Sequence, residues 1–95
     1  MMNAVATMMH ARHTILLVED NPGDAVLATE YLTDGSTYAF DICHVTLLSE
    51  AINVLDAKSV DAILLDLNLP DSSGLDTVLR LRPIARGAPV IVLAG

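Results

Sequence analysis

The sequence has few aromatic residues, few basic residues and a single cysteine. Of its 95 residues, three are aromatic, one is cysteine and five are lysine or arginine. The single cysteine, Cys43, excludes an internal disulfide and fits a reducing compartment. A net charge of −7 argues against nucleic-acid binding by this segment and against docking on an anionic membrane, because both rely on basic side chains. No apolar run reaches the roughly 18 residues that cross a bilayer, and the opening residues lack a signal-peptide core. A cytoplasmic protein is therefore expected.

What the chain has in abundance is aliphatic residues, arranged in short runs. Residues 1–13 show no periodicity and are predicted to be a disordered leader, so the domain is expected to span residues 14–95. Apolar runs that favour strands cover residues 14–18, 38–45, 62–66 and 89–95. Stretches that favour helices cover residues 21–32, 46–58 and 72–82. The resulting order β-α-β-α-β-α-β predicts an α/β domain with a parallel sheet covered by helices.

The first helix carries the clearest start signal in the chain. Asn21 suits the N-cap, Pro22 the first helical position, and Asp24 follows three residues after the cap. The sequence from Thr33 to Ser36, TDGS, is expected to end this helix. An apolar stripe is expected among its side chains, namely Ala25, Val26, Ala28, Thr29, Tyr31 and Leu32.

Acidic residues stand at the ends of two apolar strands. Asp66 ends the run AILLD, where a charge is costly unless something pairs with it, and Glu19 and Asp20 follow the first strand. A lone strand-end aspartate is often only a turn former, but in parallel sheets ligands bind at the carboxyl ends of the strands. If these strands are neighbours, three carboxylates converge and call for a hard cation such as Mg²⁺. A carboxylate beside Mg²⁺ can also act as a nucleophile toward phosphorus.

Three segments together resemble a known family. ILLVEDNPGDAVLATEYL, DAILLDLNLPDSSGLDTVLRLR and APVIVLAG look like the receiver domain of response regulators in two-component signalling, from about Thr14 to the last residue. The resemblance implies a flavodoxin-like (CheY-like), doubly wound parallel sheet with strand order 2-1-3-4 in this chain. The family's fourth helix, fifth strand and fifth helix have no counterpart before Gly95, so the domain is expected to be C-terminally incomplete.

The resemblance also implies roles for individual residues. Asp66 would be the phosphoacceptor, taking a phosphoryl group from a histidine kinase or a histidine phosphotransfer protein. Asp20 would contact Mg²⁺ directly and Glu19 mainly through water, and Asn68 would offer its backbone carbonyl. Two further residues would shape the loop after the phosphorylation site, and they are Pro70 and Gly74.

The sequence departs from the family pattern near its end. The family places a threonine or serine hydroxyl at the end of strand four, where this chain has Ala94, which cannot donate a hydrogen bond. The family's strand-five lysine has no counterpart before Gly95. Lys58, the only lysine present, precedes the third strand and is predicted at the end of the sheet away from the three acids. Uncovered sheet faces and an unpaired fourth strand predict self-association.

Three functions remain open at this point. The first is a phosphoaccepting signalling module, which is not an enzyme beyond a weak autophosphatase activity. The second is a degenerate receiver that binds partners or dimerises without phosphorylation, which Ala94 favours. The third is a phosphohydrolase with an aspartyl nucleophile. That class usually carries Asp-x-Asp, whereas this chain has Asp66 followed two residues later by Asn68.

Overall fold

Strands and helices alternate along the chain in the predicted order. The computed structural model describes residues 12–34 and 39–93. Within these ranges the elements are β1 (Arg12–Val18), α1 (Pro22–Thr33), β2 (Ala39–Val45), α2 (Leu48–Ala57), β3 (Ala62–Asp66), β4 (Asn68–Leu69), β5 (Ser72–Ser73), α3 (Leu75–Leu81), a 3₁₀ turn (Arg82–Ile84) and β6 (Val90–Leu93). Over the same ranges, no helix has the length and apolar character that crossing a membrane requires.

The four long strands form one parallel sheet in the order β2-β1-β3-β6. This order confirms the predicted 2-1-3-4 arrangement, since β6 is the fourth long strand. At the carboxyl end of β1, Val18 lies between Val45 of β2 and Leu65 of β3. The residues that follow β1 and those that end β3 therefore meet at one edge of the sheet.

Several element boundaries differ from the predictions, and the start of the first strand is one of them. The first strand begins at Arg12 rather than Thr14, so the predicted leader is two residues too long. Arg12 pairs with Ala39 in the parallel ladder, and its guanidinium forms an ion pair with Asp41 on β2. Residues 1–11, the rest of the predicted leader, lie outside the described residues.

The third helix begins at Leu75 rather than Ser72. Ser72 and Ser73 instead pair antiparallel with Leu69 and Asn68, and the resulting two-stranded hairpin occupies the start of the predicted helix.

The two faces of the sheet are packed unequally. The face covered by α2 and α3 holds the larger cluster of buried side chains, among them Leu16, Val18, Leu48, Ala51, Leu55, Ile63, Leu65 and Leu81. On the opposite face, covered by α1, the buried members among the described residues are Ile15, Leu17, Ala25 and Leu64. Burial of apolar surface is the main stabilising contribution in a domain of this size, so the α2 and α3 face dominates its stability.

The predicted apolar stripe of α1 is partly wrong. Ala25 is buried, and Ala28 and Leu32 pack against the sheet cluster. Val26 and Tyr31 are 57% and 88% exposed. Ala28 and Leu32 follow Ala25 by three and seven residues, so they lie on the same side of a helix with 3.6 residues per turn. Val26 and Tyr31 follow it by one and six residues and lie on other sides. The stripe that faces the sheet is therefore narrow and made mostly of small side chains.

Candidate functional site

Three carboxylates meet at the carboxyl edge of the sheet. Glu19 and Asp20 follow β1, and Asp66 ends the neighbouring strand β3. One carboxylate oxygen from each lies within 4.8 Å of the others. The predicted convergence of these side chains is confirmed, and it follows directly from the adjacency of β1 and β3.

The three acidic side chains differ in burial. Asp20 is exposed, Asp66 is half-buried and Glu19 is only 4% exposed. The Oε2 atom of Glu19 is buried and has no hydrogen-bond partner among the described residues. A buried carboxylate oxygen without a partner is costly, so this atom is suited to a ligand that arrives from outside the chain.

Crowding changes the pKa values of two of these acids. Burial, contact with Asp66 and the nearby negative charges together raise the pKa of Glu19 to about 7. Burial alone would raise the pKa of Asp66, but hydrogen bonds from Glu19 and from the backbone N–H of Asn68 outweigh it and lower that pKa. Bringing the carboxylates together without a counter-charge therefore disfavours the ionised form of Glu19.

The loop after Asp66 is a short hairpin that closes on itself. The backbone N–H of Asn68 donates to Oδ1 of Asp66 at 3.0 Å, and the N–H of Gly74 donates to the carbonyl of Leu67 at 2.8 Å. Pro70 and Asp71 form the turn between β4 and β5.

Gly74 has φ of 66° and ψ of −155°, a conformation that only glycine adopts readily. Apart from its chain neighbours, no atom of the described residues lies within 4 Å of where a Cβ would be at this position. The requirement for glycine therefore comes from the backbone conformation and not from lack of space.

Two contacts at this edge were not predicted from the sequence. The Nε2 atom of His44, at the end of β2, lies 2.7 Å from the carbonyl oxygen of Glu19. The carboxylate of Asp71 accepts hydrogen bonds from the backbone N–H groups of Leu48 and Ser49, at 2.8 and 3.0 Å. Both join segments that are distant in sequence, so periodicity and local capping patterns give no signal for them.

The acid cluster fits a divalent cation of the hard type. Its donors are carboxylate oxygens, which Mg²⁺ prefers, and one of them is the unpartnered Oε2 of Glu19. Within the described ranges, no ion pair reaches Glu19, Asp20 or Asp66. The negative charge of the cluster is therefore left for an external cation to neutralise.

Lys58, the only lysine in the sequence, lies away from the acid cluster. Ala94 lies outside the described residues, so its placement stays a prediction. Lys58 follows the C-terminal end of α2. The pKa of Asp41, on β2, is lowered mainly by the hydrogen bond from Arg12, and the charge of Lys58 adds to this effect.

The chain belongs to the response regulator receiver domain family, whose profile matches residues 15–95. It is 37% identical over 79 residues to the swarming motility regulation protein RssB of Serratia marcescens. It is 33% identical over 81 residues to the cell cycle transcriptional regulator CtrA of Caulobacter vibrioides. These matches cover 83% and 85% of this chain but 35% and 34% of those proteins. The chain thus spans about a third of the length of these relatives.

Solved structures agree on the fold. The MaeR response regulator bound to beryllium trifluoride superposes with a TM-score of 0.74 at 30% identity, over 85% of this chain and 66% of that one. The phosphorylated cyanobacterial phytochrome response regulator RcpA superposes with a TM-score of 0.71 at 33% identity, over 86% of this chain and 64% of that one. The predicted flavodoxin-like, CheY-like fold is confirmed.

Proposed function

We propose that this receiver domain accepts a phosphoryl group on Asp66, with Mg²⁺ held by Glu19, Asp20, Asp66 and the backbone carbonyl of Asn68. The observation that carries the proposal is the convergence of three carboxylates. One of them, Glu19, has a buried oxygen, Oε2, with no hydrogen-bond partner among the described residues. Support also comes from the relatives, since one matched structure is of a phosphorylated response regulator and another holds beryllium trifluoride. Mg²⁺, when bound, would neutralise negative charge on the cluster and on the phosphoryl oxygens.

The chain's own residues would supply the nucleophile and its orientation. Asp66 is half-buried at the end of β3, and its Oδ1 accepts the N–H of Asn68. That hydrogen bond holds the carboxylate, and its other oxygen is the one we assign as nucleophile. In the step, this oxygen forms a bond to phosphorus while the phosphorus–nitrogen bond of a donor phosphohistidine breaks. The donor ring is protonated on its other nitrogen, so it takes the electron pair of the broken bond and leaves as neutral imidazole. The products are an acyl phosphate on Asp66 and a neutral histidine.

The loop residues would keep this arrangement in place. Gly74 allows the chain to turn from β5 into α3, and its N–H closes the loop by bonding to Leu67. Pro70 fixes one backbone angle in the hairpin turn. Neither residue carries chemistry of its own in the proposed reaction.

The proposed partners are a histidine kinase or a histidine phosphotransfer protein, and the proposed location is the cytoplasm.

We also propose that the 95-residue chain self-associates through β6, an edge strand in the described sheet, where Ile91 and Val92 are 49% and 45% exposed. Unpaired apolar strand edges are templates for pairing. Sedimentation that reports a monomer at every protein concentration would contradict self-association.

The test of phosphorylation uses acetyl phosphate, Mg²⁺ and intact-mass spectrometry. We expect the mass of one added phosphoryl group in the wild-type protein, its release by hydroxylamine, and no adduct in Asp66→Asn or without Mg²⁺. Asp56→Asn, which removes an exposed carboxylate on α2, is the matched control and should still form the adduct. An adduct of equal yield in Asp66→Asn would refute the assignment of the nucleophile.

The alternative is a receiver that binds partners without phosphorylation, and Ala94 in place of a hydroxyl residue is the feature that favours it. A folded wild-type protein that forms no adduct, even with a cognate phosphorylated histidine protein as donor, would support that alternative. Sustained hydrolysis of phosphate monoesters would instead point to a hydrolase.

A further inference from the structure

His44 lies at the carboxyl end of β2, on the sheet face that α1 covers. Successive side chains of a strand alternate between faces. Phe40 and Ile42 pack with the smaller cluster on the α1 side, so His44 follows them on that side. It lines a cleft of about 340 Å³ together with the first turns of α1, where Pro22 and Ala25 lie. The histidine therefore stands beside the turn that connects β1 to α1.

In that position the ring contacts the backbone of a cluster residue. Nε2 of His44 is 2.7 Å from the carbonyl oxygen of Glu19. A carbonyl oxygen can only accept, so Nε2 must be the donor, as it is in the Nε2–H tautomer and in the imidazolium ion. The N–H of Glu19 in turn donates to the carbonyl of Val45 at 3.0 Å. Both backbone polar groups of Glu19 are thus bound by the last two residues of β2.

The Glu19 carbonyl matters because of the peptide unit to which it belongs. The C=O of Glu19 and the N–H of Asp20 share one planar unit, which also contains the Cα atoms of both residues. Holding the oxygen fixes the rotation of that plane, and with it the directions in which the two side chains leave the backbone. Without the hydrogen bond, this plane could rotate at the start of the loop.

We propose that His44 is a positioning residue for the acid cluster, through its hydrogen bond to the Glu19 carbonyl. This bond holds Glu19 and Asp20 so that their carboxylates converge with Asp66 and bind a divalent cation. The inference rests on the proposed function, because it concerns the same cation. It needs no change of protonation, since both protonation states named above donate from Nε2.

The test compares two substitutions that differ in the donor. His44→Leu keeps an apolar side chain against α1 but removes the donor, whereas His44→Gln keeps a side-chain N–H. We expect His44→Leu to weaken Mg²⁺ binding on the order of tenfold, as loss of a group that orients metal ligands does, and His44→Gln to retain most of the affinity. Calorimetric titration with Mg²⁺ measures this, and melting in its absence checks the fold.

His13→Leu is the matched control. His13 lies at the amino end of the neighbouring strand β1, away from the acid cluster, and 3.9 Å from a carboxylate oxygen of Asp61. Its replacement should therefore leave the Mg²⁺ affinity unchanged. Wild-type affinity in His44→Leu, or an equal loss in His13→Leu, would overturn the inference while leaving the proposed function intact. A protein that binds Mg²⁺ but is not phosphorylated would overturn only the proposed function. A wild-type protein without Mg²⁺ affinity would overturn both.

A second measurement does not depend on the folding of a variant. Nitrogen-15 NMR of the wild-type imidazole distinguishes the two neutral tautomers. We expect the Nε2 of His44 to be protonated in the neutral ring. The Nδ1–H tautomer would overturn the inference, because Nε2 would then have no hydrogen to donate to the carbonyl.

Discussion

The two helices α1 and α2 begin in different ways. At α1 the side chain of Asn21 accepts the N–H of Asp24 at 3.0 Å, so the cap lies three residues from its partner. At α2 the N-cap residue, Leu47, has no side chain that can accept. The acceptor for Leu48 and Ser49 is instead Asp71, from the hairpin tip. The start of α1 is therefore capped by its own sequence. The start of α2 combines a local contact, in which Glu50 accepts the N–H groups of Thr46 and Leu47, with a cap from a distant loop.

The two helices also differ in packing, and here α2 is the helix that buries more side chains. The buried residues of α2 are Leu48, Ala51 and Leu55, whereas α1 buries Ala25 alone. The helix with the better local start is therefore the one held less by the core. Local capping determines where a helix begins, but tertiary contacts determine how much it stabilises the domain.

The largest expected effect tests this difference in packing. Leu55, on α2, is 1% exposed, and Val26, on α1, is 57% exposed. Leu55→Ala should cost about 2–5 kcal/mol of unfolding free energy, because it leaves a cavity in the core. Val26→Ala should change that free energy by no more than about 0.5 kcal/mol, and alanine's higher helix propensity favours a small gain. Urea unfolding of both variants measures the contrast, and similar losses in both would contradict it.

The second prediction compares the two caps. Asn21→Ala leaves one N–H without its acceptor and should cost about 1 kcal/mol. Asp71→Ala leaves two N–H groups unpaired and removes a charge from the positive end of the helix dipole, so we expect the larger loss there. Urea midpoints at constant slope measure both. Asp71→Asn, which keeps one acceptor oxygen, should fall between the wild-type protein and Asp71→Ala. A greater loss in Asn21→Ala would show that the local cap matters more.

Much of this molecule could be predicted because its signals are local or follow from a general rule of parallel sheets. Asn21 and Pro22 marked the start of α1, and strand-end acids in a parallel sheet predicted that Glu19 and Asp66 would meet. Asp71 could not be assigned as a cap from sequence, since the helix it caps begins 23 residues earlier in the chain.

Other features were missed for the same physical reason. The hairpin that displaces the start of α3 depends on pairing across a turn, and the contact of His44 with Glu19 depends on the juxtaposition of two strands. The apolar stripe of α1 was drawn too wide, because composition indicates which side chains are apolar but not which of them face the sheet.

The smallest expected effect is a loss of stability in acid. We expect it from the cap of α2, which is a carboxylate, and not from the cap of α1, which is an amide. Hydrogen bonds from the N–H groups of Ser49 and Leu48 lower the pKa of Asp71, against the opposing effect of burial. A carboxyl whose pKa is lower in the folded state stabilises the protein above its unfolded pKa of about 3.9, and this stability is lost as pH falls through the folded pKa. The amide of Asn21 does not titrate in this range.

The free energy of unfolding should therefore be measured from neutral pH down to about pH 3 in three proteins. We expect the gap between the wild-type protein and Asp71→Asn to be widest near neutral pH and to close on the acid side of the unfolded pKa. The gap between the wild-type protein and Asn21→Ala should stay constant over the same range, because no proton is bound or released at that cap. A gap for Asp71→Asn that is equally constant would mean that the Asp71 carboxylate stabilises α2 no more than a neutral amide does.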